Sequence, residues 1–232
     1  MTRTYSALVN PDIKVLLDRL IDQATVPELY QETMTKLGMT FGDVLLSKIA
    51  TDSASVYLAS TVEDADFLAK GILDRLETRL KSMAFACFWN QRLSPFGVAD
   101  LQIAPILRKY QEPSAPKINY LIVAKSIISG ACVVKTNLIE LIQNIEPEVI
   151  FVVAPVIHRQ SEEKLKQEFD SKIYNKFQFL YFAQDDDRSS DGEIIPGIGG
   201  MVYDRLGFND QDAKNRYTPQ IVKSRRAKLV PV

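Results

Sequence analysis

Apolar and polar positions follow a helical spacing through the first 50 residues. One amphipathic stretch begins after Asn10, whose side chain can cap a helix, and continues through Leu20 and Ile21. A second begins after Thr25, and Pro27 there suits a first helical turn. The pattern predicts a helical N-terminal segment.

From Ser55 onward the pattern changes to short apolar runs that alternate with amphipathic segments of about a dozen residues. The runs predicted as strands are SVYLAST, MAFACFW, NYLIVAKSI, EVIFVVAPVI and FQFLYFAQ. This alternation predicts an α/β fold, a parallel sheet with helices on both faces. The Pro- and Gly-containing stretch 90–117 is predicted to be irregular or a hairpin arm.

Charge and histidine content exclude several functions. The chain has 28 Lys and Arg against 29 Asp and Glu, so it lacks the uniform positive field of a non-specific nucleic-acid binder. His158 is the only histidine, which argues against Ser-His-Asp and Cys-His catalysis and against multi-histidine metal sites. We interpret His158 as a surface or capping residue rather than a general base.

Cysteine usage and the N-terminal sequence favour a reducing compartment. Cys87 and Cys132 each lie in an apolar run without a neighbouring ligand residue, which predicts buried free thiols. The N-terminal sequence lacks the features of a signal or transit peptide, and no apolar run is long enough to span a membrane. We therefore expect a cytoplasmic protein.

Three loops that follow predicted strands are candidate sites, because ligands of parallel sheets bind beyond the carboxyl ends of the strands. The first loop joins a buried strand to a helix through small residues, whose exposed amides can hold a phosphate. The alternative is a tight turn. The candidate phosphate-binding residues are Ser126, Ser129, Gly130, Ala131 and Cys132.

The other two loops differ in chemistry. Asp185, Asp186 and Asp187 could hold a divalent cation, although a solvated acidic loop is the preferred interpretation and no metal site is predicted. The apolar loop Ile194–Gly200 contains three glycines, so its backbone can approach a flat ligand closely. The alternative there is a buried turn.

The segment SDGEIIPGIGGMVYDRLGF resembles the signature of uracil phosphoribosyltransferases. The resemblance covers about residues 7–209 and includes Asn10-Pro11, where the family has a histidine-proline pair. It implies a phosphoribosyltransferase-like fold, a homodimer, and attack of uracil N1 on the ribose C1′ with loss of magnesium-bound pyrophosphate. The nucleobase-binding residues that it implies are Ile194, Ile195, Pro196, Gly197, Ile198, Gly199 and Gly200.

The motifs that handle phosphates in that family are altered. Ala124 stands where the family has its ribose-binding aspartate, and Lys125 follows it. Where the family has the arginine of its pyrophosphate loop, this chain has the acidic residues Glu63, Asp64 and Asp66, which should repel pyrophosphate. A cationic sugar and an anionic leaving group require the opposite charges at these places.

The sequence therefore predicts a uracil phosphoribosyltransferase-like protein with lost or strongly weakened catalysis. It would act as a homodimer that binds a nucleobase, a nucleotide such as UMP, or a partner. The alternative is an active enzyme that forms UMP with a rebuilt site. In that case Mg²⁺ would be the cofactor, and its ligands would come from Asp64, Asp66, Asp186 or Asp187.

Two units are predicted along the chain. Residues 1–209 form a single phosphoribosyltransferase-like domain, and residues 210–232 form a basic C-terminal extension. Such an extension could bind RNA or an acidic protein. The alternative is a solvated or dimer-wrapping segment.

Overall fold

The computed structural model describes residues 2–93, 103–190 and 192–229. Residues 94–102 of the predicted arm, residue 191, and residues 230–232 of the extension lie outside these ranges. The strands are β1 (Arg3–Tyr5), β2 (Val56–Thr61), β3 (Met83–Asn90), β4 (Ile106–Gln111), β5 (Lys117–Ala124), β6 (Ile127–Ile128), β7 (Glu146–His158), β8 (Phe177–Asp185), β9 (Asp187–Arg188) and β10 (Ile194–Ile195). The helices are α1 (Pro11–Ile21), α2 (Pro27–Lys48), α3 (Val62–Asp64), α4 (Lys70–Leu76), α5 (Cys132–Ile142), α6 (Ser161–Lys166), α7 (Ser171–Tyr174), α8 (Val202–Arg205), α9 (Gln211–Arg216) and α10 (Gln220–Leu229), and a π-helical turn, Ala65–Ala69, joins α3 to α4.

Within the described residues, eight strands form one sheet in the order β1-β8-β7-β5-β2-β3-β4, with β6 beside β7. Neighbouring strands are parallel except at the edges, where β1 and β4 run antiparallel to β8 and β3. The predicted α/β fold is confirmed, as are the helical N-terminal segment (α1 and α2) and the hairpin arm (β3 and β4).

Both faces of the sheet are buried, because successive side chains of each strand point to opposite sides. In β2, Val56 and Leu58 belong to the core beneath α1, α2 and α4. Tyr57 and Ala59 belong to the second core, beneath α5. Continuous apolar strand sequences are the consequence of this double burial.

The strand order reverses between β2 and β5. The chain leaves β2 toward β3 on one side and leaves β5 toward β7 on the other, so the loops after β2 and β5 diverge. Such a point opens a crevice at the carboxyl edge of the sheet, where α/β proteins bind their ligands. Glu63 and Asp64 follow β2 there, and Lys125 and Ser126 follow β5.

Most of the C-terminal extension packs on the domain as α9 and α10. The indole Nε1 of Trp89 donates a hydrogen bond to the carbonyl of Tyr217 at 2.8 Å. Arg225 in α10 is paired with Glu112 at 2.8 Å. Among the described residues, no helix is both long and apolar enough to cross a membrane.

Candidate functional site

The crevice between β2 and β5 contains a buried cluster of charged side chains. The Lys125 ammonium donates to Asp64 Oδ2 at 2.9 Å and to Glu63 Oε1 at 3.0 Å. Asp64 also accepts hydrogen bonds from the hydroxyl of Thr61 and the backbone amide of Ser126. All three charged residues are at most 6% exposed. The acids and the lysine that follow two neighbouring strands thus form one compensated group.

A second lysine reaches this cluster from the C-terminal extension. Lys214 of α9 is 4% exposed, and its Nζ donates to the backbone carbonyl of Asn90 at 2.8 Å. The same Nζ lies 3.8 Å from Glu63 Oε2. Asn90 in turn exchanges side-chain hydrogen bonds with Asn137 of α5 at 2.8 and 3.1 Å. The extension therefore covers the carboxyl edge of the sheet and places an ammonium group beside the acids.

Glu63 and Lys125 keep their charges near neutral pH. Burial by itself would raise the pKa of Glu63, but the ammonium groups of Lys125 and Lys214 outweigh burial and lower that pKa to about 2. Burial would lower the pKa of Lys125, yet the carboxylates of Asp64 and Glu63 outweigh it and raise that pKa. A general acid or base needs a pKa near the working pH, and neither group has one.

The predicted phosphate-binding loop is partly a strand. After Lys125 and Ser126, residues Ile127–Ile128 form β6, which continues along β7 in parallel register. The backbone amide of Ser126 is directed to Asp64, and the carbonyl of Ser129 accepts a hydrogen bond from Arg188.

Gly130 and Ala131 lie between β6 and α5, whose first residue is Cys132. A Cβ on Gly130 would meet nothing within 4 Å, so no close approach requires glycine at this position. The loop does bring all five predicted residues to the carboxyl edge of the sheet.

The predicted nucleobase loop, Ile194–Gly200, is anchored by other parts of the chain. The carbonyl of Gly197 accepts from Arg3, that of Ile198 from Tyr30 at 2.9 Å, and that of Gly199 from Gln23 at 3.0 Å. The Ile195–Pro196 peptide bond is cis. Gly199 has a φ of +80°, and a Cβ there would lie 2.3 Å from the Leu20 carbonyl oxygen, so only glycine fits.

The nucleobase loop and the predicted phosphate loop lie side by side. Arg188 donates to the carbonyl of Gly192 on one side and to that of Ser129 on the other. A Cβ added at Gly197 would lie 3.3 Å from the Ile127 side chain. The sequence-predicted site residues are therefore neighbours in space, although several of their backbone groups already have partners within the chain.

The acids considered for magnesium are dispersed. Asp64 belongs to the lysine cluster, and Asp66 accepts the Tyr217 hydroxyl and the first amides of α10. Asp186 lies 3.7 Å from Arg159, and Asp187 accepts the Thr2 amide. In the described part of the chain, no group of three or more His, Cys, Asp or Glu residues is placed to hold a metal ion. These acids do not fit a Mg²⁺ site.

His158 and Asp185 end neighbouring strands at the same edge of the sheet. Burial lowers the pKa of His158, and its Nδ1 accepts the backbone amide of Gln160 at 3.2 Å. Asp185 is fully buried and accepts two hydrogen bonds from Arg3, both at 2.7 Å, and one from the Gly197 amide at 2.9 Å. Both residues thus hold neighbouring backbone in place.

Comparison with known proteins gives likeness of structure only. No protein-family model and no curated protein matches the sequence. The AQ2163 protein from Aquifex aeolicus superimposes with a TM-score of 0.69 at 15% identity, over 88% of this chain and 97% of that chain. That likeness shows the fold.

Two further structures overlap more weakly. A hypoxanthine phosphoribosyltransferase from Staphylococcus aureus has a TM-score of 0.42 at 13% identity, over 68% of this chain and 76% of its own. The hypoxanthine-guanine enzyme of L. donovani has a TM-score of 0.37 at 12% identity, over 71% and 85%. Overlaps of this size decide nothing about the activity of this chain.

From sequence, Lys125 and the acids after β2 are separate features, and no pattern connects Lys214 with them. One signal was available: a lysine directly after one buried strand and two acids directly after another are expected to meet if those strands are adjacent. The cluster is buried, and its two carboxylates face two ammonium groups.

Proposed function

We propose that this chain is a phosphoribosyltransferase-like protein of the uracil type that lacks transferase activity and acts by binding. The observation that carries the proposal is the closed state of the crevice between β2 and β5. Two carboxylates and two ammonium groups neutralise one another there, and α9 covers them.

The chemistry of nucleotide formation supports the same conclusion. The transition state needs negative charge near the ribose and positive charge with metal at the leaving group. Ala124, at the place of the family's ribose carboxylate, is buried in the core. Glu63 and Asp64 stand at the place of the pyrophosphate arginine, and each lies within 3.0 Å of the Lys125 ammonium. Each missing contact of this kind costs on the order of 10²-fold in rate.

The ligand proposed for this protein is a uracil-like base or its nucleotide, at the loop Ile194–Gly200. Support comes from the resemblance of this loop to the family signature and from its position beside the Ser126–Cys132 loop. The homodimer implied by the resemblance is part of the proposal, and light scattering of the purified chain tests it separately.

Turnover is the first test. The full chain is incubated with uracil, phosphoribosyl pyrophosphate and Mg²⁺, and UMP is quantified beside an active uracil phosphoribosyltransferase. We expect no UMP above the enzyme-free reaction. Turnover within about a hundredfold of the active enzyme would reject the proposal, since the loss of even one such contact costs that much.

Calorimetry tests the binding half of the proposal. Uracil, UMP and phosphoribosyl pyrophosphate are titrated into the full chain with and without Mg²⁺. We expect uracil or UMP to bind independently of magnesium. Magnesium-dependent binding of phosphoribosyl pyrophosphate would instead support the active-enzyme alternative, and absence of binding by all three would reject the proposed ligand.

A further inference from the structure

Lys214 fills a socket at the carboxyl ends of β2 and β3. We define the ammonium socket as the backbone carbonyl of Asn90 together with the Oε2 oxygen of Glu63. Lys214 donates to the carbonyl at 2.8 Å but lies 3.8 Å from Oε2, which has no hydrogen-bond partner although the Glu63 side chain is only 8% exposed. The socket therefore contains one buried, charged oxygen that is ion-paired with Lys214 but accepts no hydrogen bond.

Comparison with Lys125 shows how incompletely Lys214 is satisfied. Lys125 donates to two carboxylates and lies 3.4 Å from the Ser126 hydroxyl. An ammonium group has three donors, and Lys214 uses one of them on a neutral carbonyl. Burying a charge with few partners is costly, so Lys214 is held much less firmly than Lys125.

A second residue of α9 also has unsatisfied side-chain groups. Asn215, the next residue, has both side-chain polar atoms buried without a partner. A polar group that is buried without a partner is less stable than the same group in contact with water. The Lys214 ammonium and the Asn215 side-chain amide would both gain hydrogen bonds to water if α9 left the sheet, and this favours the detached state.

The remainder of the extension is anchored independently of α9. Asp66 accepts the backbone amides of Gln220 and Ile221 at 2.7 and 2.9 Å, and Arg225 pairs with Glu112 and Glu77. α9 can therefore detach while α10 stays bound, with residues 217–219 as the connection.

We propose that the ammonium socket is a binding site for a small primary amine. Lys214 fills the socket while α9 is packed on the sheet, and an external amine fills it when α9 withdraws. Without Lys214, the cluster keeps Glu63, Asp64 and Lys125, so negative charge is in excess. The vacated socket therefore attracts cations and repels phosphates. The socket shares Glu63 and Lys214 with the cluster on which the proposed function rests, but not the nucleobase loop, so failure of amine rescue and failure of uracil or UMP binding are separate results.

Chemical rescue of a cavity variant tests the socket. The full-length Lys214→Ala variant is expected to melt below the unmodified protein, and ethylammonium chloride is expected to raise its melting temperature. Tetramethylammonium chloride at the same ionic strength carries the charge without N–H donors and should give no such rise. The matched control is Lys223→Ala, which removes an exposed lysine of the same extension.

Two results of the rescue would overturn the proposal. One is an equal response of Lys214→Ala to both salts, and the other is an equal ethylammonium response in the Lys214→Ala/Glu63→Gln double variant. If Lys214→Ala does not fold, the hydrogen-exchange measurement on the unmodified protein decides the proposal.

Hydrogen exchange of the unmodified protein tests whether an amine displaces α9 from the sheet. Hydrogen exchange of residues 211–217 should become faster in ethylammonium than in tetramethylammonium, while exchange of residues 222–228 stays unchanged. Equal exchange of residues 211–217 in the two salts would show that the amine does not displace α9, and would reject this part of the proposal even if the cavity variant is rescued.

Discussion

Lys125 follows β5 and Asp64 follows the adjacent strand β2. The two form a buried ion pair, with 2.9 Å between Nζ and Oδ2, at the point where the strand order reverses. They are separated by 61 residues in the sequence. The pair occupies the place where an α/β protein usually leaves its ligand crevice open. Its closure is the main support for the binding role that we propose.

Replacing Lys125 by Met should strongly destabilise the fold. The substitution leaves Glu63 and Asp64 buried without their main counter-charge, and breaking a buried pair in this way costs about 3–5 kcal/mol. Urea unfolding measures the difference in the free energy of unfolding.

The matched control is Lys70→Met. Lys70 forms an exposed pair with Asp74, four residues away on one helix, and such pairs contribute about 0.3–0.5 kcal/mol. Equal losses for the two variants would show that the Lys125 cluster does not stabilise the fold.

Glu63 should make the fold sensitive to acid. Its folded pKa of about 2 lies below the ordinary value of 4.5, so the unfolded chain binds a proton first as the pH falls. Its contribution is complete above about pH 4.5 and is lost toward pH 2. Since one pKa unit corresponds to about 1.4 kcal/mol and the shift spans from 4.5 to about 2, the loss is at most about 3.5 kcal/mol.

Urea unfolding of the Glu63→Gln variant across this pH window measures that contribution. We expect the variant to be less stable at pH 7 but to lose less stability on acidification. Glu32→Gln, at an exposed pair with Lys36, is the control and should change the acid dependence much less because solvent screens the pair. An unaltered acid dependence in Glu63→Gln would contradict the assignment.

The parts of the fold that could be predicted from sequence are those whose signal is local. The strand runs are apolar because both faces of the sheet are buried, and the helices between them carry one apolar face. β1 was not predicted, since three residues, Arg3–Tyr5, show no periodicity. α10 lies in the predicted basic C-terminal extension, where no helix is predicted from sequence, because its attachment depends on distant groups, Asp66 and Glu112.

The candidate site also contains one part with a local sequence signal and one part that depends on distant residues. The loop Ile194–Gly200 was recognised from its own residues. The Lys125 cluster was not recognised, because its formation depends on β5 lying beside β2, and strand order is a property of the whole sheet. Lys214 comes from still farther along the chain and could not be placed without the path of the extension.

Asp66 should hold the extension against the domain. Its carboxylate accepts the Tyr217 hydroxyl and the first two amides of α10, so it acts as a helix cap supplied from another part of the chain. Loss of such a cap costs about 0.5–2 kcal/mol. We expect Asp66→Ala to lower the melting temperature and to accelerate hydrogen exchange at residues 220–222.

Two variants accompany this measurement. Asp66→Asn keeps an oxygen acceptor and should retain part of the protection. Asp212→Ala removes an exposed acid of the extension and should leave exchange at residues 220–222 unchanged. Unchanged exchange in Asp66→Ala would mean that α10 is held by its other contacts alone.

Arg3 should position the candidate nucleobase loop through Asp185. The guanidinium binds both carboxylate oxygens of Asp185, and the same carboxylate accepts the Gly197 amide. Replacing Arg3 by Met leaves Asp185 buried and unpaired, with an expected loss of about 3–5 kcal/mol. The double variant Arg3→Met/Asp185→Asn removes the orphaned charge and should recover part of this loss.

The control for this pair is Arg159→Met, because Arg159 is exposed and lies 3.7 Å from Asp186 on the same edge of the sheet. A pair of that kind contributes at most about 1 kcal/mol.

Hydrogen exchange of residues 194–200 should become faster in Arg3→Met but not in Arg159→Met. If uracil binds to this loop, calorimetry should show weaker binding in the Arg3 variant only, since a loop that loses its anchor must be ordered again before the ligand can bind. Equal uracil affinity in a folded Arg3→Met protein with an unprotected loop would place the base elsewhere.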